Sequence, residues 1–320
     1  MPASYPAAGV ERDRWIIGQR PPRAELDPSR PYAFFVEEEC AADGSIQSVA
    51  TVFLTNRECP WRCVMCDLWR NTLTETVPRR AIPAQIEFAL SQLPSARAIK
   101  LYNSGSFFDP RAIPVEDYAP IAKQVRDFDR VIVECHPSLV GERCWTLRDM
   151  LHGQLEVAMG LETAHPGVLE KLNKRMTLEQ FATAADHLRE NHIDLRVFVL
   201  IQPPFMAPGE SLQWAQRSLD FAFDCGATAA ALIPTRGGNG AMKTLATMGE
   251  FTPPRLSLVE DAMMYGLNLR RGRVFVDLWD LRQASGCSQC HARRIARLQA
   301  MNLQQKMSDV VSCDLCGAHN

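Results

Sequence analysis

The stretch 56-NRECPWRCVMCDLWRNT-72 places three thiols, Cys59, Cys63 and Cys66, within eight residues. Thiols this close bind metal, do redox chemistry, or are buried side chains gathered by chance. Their spacing is C-x3-C-x2-C. A tetrahedral zinc site wants a fourth ligand and favours paired C-x2-C hooks. Three thiolates from one short loop suit a cubane [4Fe–4S] cluster, holding three irons and leaving the fourth open to a small chelating molecule. Trp61, Val64, Met65 and Trp69 would shield such a cluster, and a low dielectric helps set its potential.

A second constellation lies near the C-terminus. Cys287, Cys290, Cys313 and Cys316 form C-x2-C-x22-C-x2-C, with Gly317 after the last. Two such hooks fit a structural zinc ribbon or knuckle that stabilises a module too small for its own core, and an auxiliary iron–sulfur cluster is the rival reading. The segment between the hooks is polar and helical in pattern. Arg282, Arg293, Arg294, Arg297 and Lys306 outweigh Asp309 and Asp314 around it. It reads either as a contact for RNA phosphates or as a solvated charged face. Cys40, Cys135, Cys144 and Cys225 are scattered and read as small buried side chains.

Both constellations need a frame. From residue 49 onward, short β-branched or apolar runs alternate with helical patterns. Strands are expected at 49–55, 98–102, 131–134, 155–162, 194–201, 228–233 and 273–277. Helices are expected at 84–93, 117–128, 177–192, 211–225 and 254–267, the third opened by a capping box of Thr177 and Gln180. Such alternation predicts an α/β fold: a partial or near-closed (β/α) barrel of parallel strands, with a small four-cysteine module appended. The expected organisation is a lead-in over 1–45, a core barrel over 46–280 and the metal-binding module over 281–320. In such barrels function sits on the loops after the strands' C-terminal ends, where Cys59, Cys63 and Cys66 fall.

Composition narrows the classes. The 320 residues are 46% hydrophobic with a net charge of −2, so the chain has a sizeable core and no overall bias towards nucleic acid. No apolar run is long enough for a transmembrane helix and no secretory signal is evident, which predicts a cytoplasmic protein without a membrane partner. Disulfides then explain the eleven cysteines poorly. The loop 234-PTRGGNGAMKT-244 is no phosphate-binding loop, since Met242 rather than Gly precedes Lys243; from its rim Arg236 could reach a ligand. His136 and His165 follow strands and read as polar rim residues.

The cysteine loop and the barrel together resemble the radical S-adenosylmethionine (SAM) superfamily. That resemblance implies SAM bound to the open iron, reductive cleavage of its C–S bond, and a 5′-deoxyadenosyl radical that abstracts hydrogen from a substrate. It implies that Ser104, Gly105 and Ser106 in 102-YNSGSFFDP-110 hold SAM together with Glu162, and that 198-FVLIQPPF-205 packs adenine. It also implies a one-electron donor such as a flavodoxin or ferredoxin. The phrases YNSGSFFDP, VECHPS and GLET…LNK resemble one branch more than others, that of the Elongator catalytic subunit and the archaeosine synthase radical SAM subunit. The C-x3-C-x2-C spacing is of the archaeosine type, and no segment has the length of Elongator's acetyltransferase domain. The expected function is modification of an RNA nucleoside, with tRNA as the partner. The alternatives are radical tailoring of a peptide, cofactor or small metabolite aided by an auxiliary cluster, and a zinc-binding adaptor that does no chemistry.

Overall fold

The computed structural model describes residues 4–7, 9–281 and 286–316, so Arg282 and Gly317 lie outside the described residues. Eight strands form one sheet in chain order: β1 (Ala33–Cys40), β2 (Ile46–Phe53), β3 (Ala98–Tyr102), β4 (Arg130–Cys135), β5 (Gln154–Glu162), β6 (Asp194–Ile201), β7 (Ala229–Pro234) and β8 (Arg273–Val276). From β2 to β8 every pairing is parallel, and β1 joins β2 as an antiparallel hairpin arm. The sheet curls into a half-barrel, bringing its two edges near each other. Arg273 Nη1 on β8 donates to Cys40 O on β1 at 3.2 Å, and Phe35 of β1 stacks with Trp279 beyond β8 at 6.0 Å.

All seven expected strands are present. The lead-in over 1–45 is more than a lead-in, because its β1 completes the sheet across the expected boundary. It also carries α1 (Gly9–Gly18). The helices between strands are α2 (Ala81–Leu90), α3 (Tyr118–Gln124), α4 (Glu142–Met150), α5 (Pro166–Lys171), α6 (Leu178–Glu190), α7 (Ser211–Asp224), α8 (Gly240–Thr247) and α9 (Leu256–Leu269), with α10 (His291–Gln304) after β8. The capping box forms as read: Thr177 Oγ1 accepts from Gln180 N, and Gln180 Oε1 from Thr177 N.

Alternate strand residues divide the interior in two. Val52, Leu101, Val133, Val157, Val197, Leu232 and Val276 point outward into the core shared with the helices. Their neighbours face the lumen. At its floor Lys100 Nζ meets Glu39 at 2.6 Å, Arg196 bridges Glu39 and Glu156 at 2.5 Å each, and Arg130 and Arg273 reach Glu156 at 2.9 and 3.2 Å. Burial opposes charge on Glu39, but Arg196 and Lys100 hold its carboxyl well below the ordinary range. Buried charges persist only when paired in this way, so the floor is rigid and neutral.

The four-cysteine segment is not separate either. Leu298 and Met301 of α10 lie in the main core. Its Asn302 and Gln305 amides each donate to and accept from the backbone of Val276 and Val274, at 2.7 to 2.9 Å. They stand in for the strand that the outer edge of β8 lacks.

Candidate iron–sulfur and metal sites

The loop after β2 begins from a fixed base. Leu54 N donates to Tyr102 O at 2.7 Å, and Asn56 Nδ2 reaches Asn103 O at 2.7 Å. Gln85 of α2 closes on Thr55, accepting from its N–H and donating to its carbonyl. Beyond this base, Glu58 gathers Arg20, Arg23 and Arg62, which pins the N-terminal segment to the loop. Asn239 performs two jobs. Its Oδ1 caps α8 by accepting from Met242 N, and its Nδ2 donates to Val64 O and Cys66 O at 3.1 and 3.0 Å. The glycine-rich loop thus opens helix α8 through this cap. Asn173 Nδ2 holds Arg62 O at 2.8 Å, and Val64 N donates to Leu172 O. Cys59, Cys63 and Cys66 thus lie at the mouth of the half-barrel, beneath α1 and α8.

Burial pushes all three thiols up to about 12, with Lys174 the strongest counter-pull on Cys63. At neutral pH each keeps its proton unless a metal cation displaces it. Trp69 Nε1 donates to Cys66 O, and Val64 is fully buried, as shielding would require. Trp61 stacks face to face on His136 at 3.8 Å. Burial and Lys174 drop the His136 imidazole to about 3, so this ring is neutral and serves as a platform rather than a base. His165 caps α5 through Nδ1, which accepts from Val168 N.

The residues expected to hold SAM divide into two groups. Ser104 has a left-handed φ of 55°, and its hydroxyl meets Tyr32 Oη at 3.0 Å. Gly105 packs on the cysteine loop, where a Cβ would stand 3.1 Å from Cys59 Cβ. The close approach there is to the cysteine itself. Ser106 turns the other way, donating to Cys135 Sγ and accepting from His136 N. Glu162 lies past a bulge in β5 at φ 67°, and accepts from Lys174 Nζ at 2.6 Å. Gly160 leaves room for this pair, since a Cβ there would land on Glu162 Oε1 and Lys174 Nζ. Arg236 is held on the rim by Asp277 and Asp280 at 2.5 and 2.6 Å.

Two features fit a cluster with a bound amino acid. The Oδ1 of Asn103, fully buried beside Ser104, has no hydrogen-bond partner among the described residues and could accept from an ammonium group. The glycine contact at Cys59 keeps this loop against the thiols.

Sequence reading missed the residue that sets the loop. Glu134 at the end of β4 accepts from Asn103 N and Ser104 N at 2.9 and 3.0 Å. Burial pushes its carboxyl up to about 7 against the pull of those amides. Glu134→Ala should cost about 1–3 kcal/mol by leaving both N–H groups unpaired and weaken SAM binding. Glu134→Gln keeps an acceptor and should preserve both. Thermal unfolding and SAM titration check this, and equal behaviour of the two variants would remove the role.

The C-terminal thiols are arranged differently. The sulfurs of Cys287, Cys290, Cys313 and Cys316 all lie within 4.8 Å of one another, while Cys59, Cys63 and Cys66 form no such tight group. Cys287 and Cys313 stand 3.8 Å apart, Cys290 and Cys316 3.9 Å. Thiolates around one zinc, at about 2.3 Å each, are ~3.8 Å apart along a tetrahedral edge. The basic character of α10 is largely spent inward. Arg294 and Arg297 are buried against Glu260 of α9, and Arg293 donates to Ser312 O.

No family model matches the chain. It is 25% identical over 255 residues to an uncharacterised protein of Methanocaldococcus jannaschii, covering 74% of this chain and 70% of that one. It is 25% identical over 225 residues to archaeosine synthase subunit beta of Methanosarcina acetivorans, covering 66% of this chain and 64% of that subunit. Among solved structures it is similar to Elp3 of Methanocaldococcus infernus, with 15% identity, 61% of this chain and 50% of that one covered, and a TM-score of 0.47. The chain is thus similar to proteins named archaeosine synthase subunit beta, one of the two relatives in the branch resemblance read from YNSGSFFDP, VECHPS and GLET…LNK.

Proposed function

We propose that this chain is a radical SAM enzyme that modifies a nucleoside of RNA, with tRNA the first substrate to test. The observation carrying the proposal is the loop of Cys59, Cys63 and Cys66 at the mouth of the half-barrel, with Gly105 packed on Cys59 and the unpartnered acceptor of Asn103 beside it. When bound, the [4Fe–4S] cluster and SAM supply a 5′-deoxyadenosyl radical after transfer of one electron.

The residues of the chain do the rest. Cys59, Cys63 and Cys66 would hold three irons of the cluster as thiolates, with Lys174 placed to offset part of the charge on Cys59 and Cys63. Asn103, Ser104 and Gly105 would hold the amino acid end of SAM, on a loop that Glu134 holds still and Ser106 braces from behind. Glu162 contributes a carboxylate once Lys174 shares it. Trp61, Val64 and Trp69, with α1 and α8 above them, exclude water and stray hydrogen donors. The electron comes from a flavodoxin- or ferredoxin-type donor.

At the C-terminus Cys287, Cys290, Cys313 and Cys316 hold one zinc ion, since their spacing fits a single tetrahedral centre. An auxiliary cluster would need its thiolates spread around a larger body, so the spacing supports zinc over the cluster that the tailoring alternative invokes.

The test is anaerobic reconstitution followed by metal analysis and a turnover assay. About four irons and one zinc per chain, with 5′-deoxyadenosine released faster when tRNA is added, is the expected result. Little or no iron would remove the enzyme reading. Iron and SAM cleavage without any tRNA response would remove the RNA reading and leave the chemistry.

A further inference from the structure

Five aromatic rings run in sequence along one side of the lumen. Trp279 sits on the rim with 58% of its surface exposed, and stacks with Phe35 of β1 at 6.0 Å and an interplanar angle of 18°. Phe35 meets Phe53 of β2 at 6.0 Å, Phe53 meets Tyr102 of β3 at 6.0 Å, and Tyr102 meets Phe198 of β6 at 6.3 Å. Tyr32 joins the row to the cysteine site, its ring 5.4 Å from Phe53 and its hydroxyl on Ser104.

Three properties separate this row from ordinary packing. First, Phe35, Phe53, Tyr102 and Phe198 are only half-buried, although their strands are sheathed by helices. Phe35, Phe53 and Tyr102 belong to neither the main core nor the residues packed against it. Second, the lumen-facing positions near the rings on β5 and β7 are small, Ala158 on β5 and Ala229 and Ala231 on β7, with Phe275 packed on the last two beside Phe198. Third, the floor beneath is neutral, its four cations (Lys100, Arg130, Arg196 and Arg273) matched by Glu37, Glu39, Glu156 and Asp194. That floor does not call for a charged ligand. One polar handle sits on the row itself, the hydroxyl of Tyr102 between Phe53 and Phe198.

We propose that this row is the binding track for a planar heterocycle, entering past Trp279 and seating on Phe53, Tyr102 and Phe198 beside the cysteine site. The inference rests on the RNA reading above, in which the occupant is a base turned out of its strand. Rings stack on π-faces whatever the base, at about 1–3 kcal/mol each, and an extruded base is read along its edge by hydrogen bonds of the kind Tyr102 can make. An aliphatic or multiply charged substrate would gain nothing from these walls.

The experiment titrates 2-aminopurine riboside into the reconstituted protein with S-adenosylhomocysteine present, so that any adenine-binding position is already filled. Stacking should quench the probe's fluorescence several-fold. Phe53→Leu and Trp279→Ala should each weaken binding about tenfold, consistent with one lost stacking partner. Tyr102→Phe, which removes only a hydroxyl and spares the fold, should weaken it severalfold. Ribose 5-phosphate should not compete. Absence of quenching at millimolar probe, or equal affinity in all three variants, would overturn the proposal. Binding seen only when S-adenosylhomocysteine is left out would also overturn it, by assigning the rings to the adenine of SAM. None of these outcomes depends on 5′-deoxyadenosine formation, so failure here is distinct from failure of the radical SAM reading.

Discussion

Changing any one of Cys59, Cys63 or Cys66 to Ala should leave a folded chain that binds no iron and forms no 5′-deoxyadenosine. A cubane keeps one iron open only while the other three are ligated, so the loss should be complete. The fold should survive because the loop's attachment does not use the sulfurs. Leu54 and Asn56 fix its start, Glu58 collects three arginines, and Asn239 and Asn173 hold the carbonyls of Arg62, Val64 and Cys66. Removing one thiol costs about 1 kcal/mol, a shift of roughly 2–4 °C in the unfolding midpoint for a chain of this size. Cys225→Ala is the control, since this buried thiol lies in the helical layer at the end of α7. It should change neither iron content nor turnover. A Cys63→Ala protein that still carries its iron and cleaves SAM would end the cluster assignment.

The parallel strands were legible because each is a β-branched or apolar run sheathed by helices on its outer face. β1 was not, because AFFVEEEC carries three consecutive glutamates and looks like solvated chain. Its Glu37 and Glu39 are in fact lumen residues, answered by Lys100 and Arg196 from strands far along the chain. The cysteine spacing announced a cluster, yet the groups that position it come from distant loops. Glu134, Lys174, Asn173 and Asn239 are placed by barrel closure and by the bulge in β5, which no local pattern encodes. The same limit misdirected the reading of α10. Arg294 and Arg297 look like an RNA-facing stripe until Glu260 on α9 is found beneath them. Only the row of rings on alternating strand positions could have been seen earlier, since Phe35, Phe53, Tyr102 and Phe198 share the parity of the charged floor residues.

Stripping zinc from the four C-terminal cysteines should loosen the half-barrel at β8, far along the chain from the cysteines of the first loop. The first turn of α10 is built on this centre: Cys287 O accepts from His291 N, and Cys290 O from Arg294 N. Farther along the same helix, Asn302 and Gln305 satisfy both backbone groups of Val276 and Val274. Zinc bound there would fix the start of a helix whose end replaces a missing strand, so the energy of metal binding would become energy of barrel closure. The pairing of Arg294 and Arg297 with Glu260 keeps α10 associated without metal, so the expected result is local opening rather than global unfolding. Amide exchange at Val274 and Val276 should accelerate about tenfold or more on chelation, while Val133 and Val157 in β4 and β5 stay protected. The double variant Asn302→Ala, Gln305→Ala should show the same exchange pattern with its zinc in place, because it removes the clamp and leaves the metal. Unchanged exchange at β8 in the zinc-free protein would mean that the centre stabilises only its own knuckle. The seam in question carries Phe35 on one side and Trp279 on the other. Loss of zinc should therefore weaken binding of 2-aminopurine riboside while leaving the iron of the first loop in place.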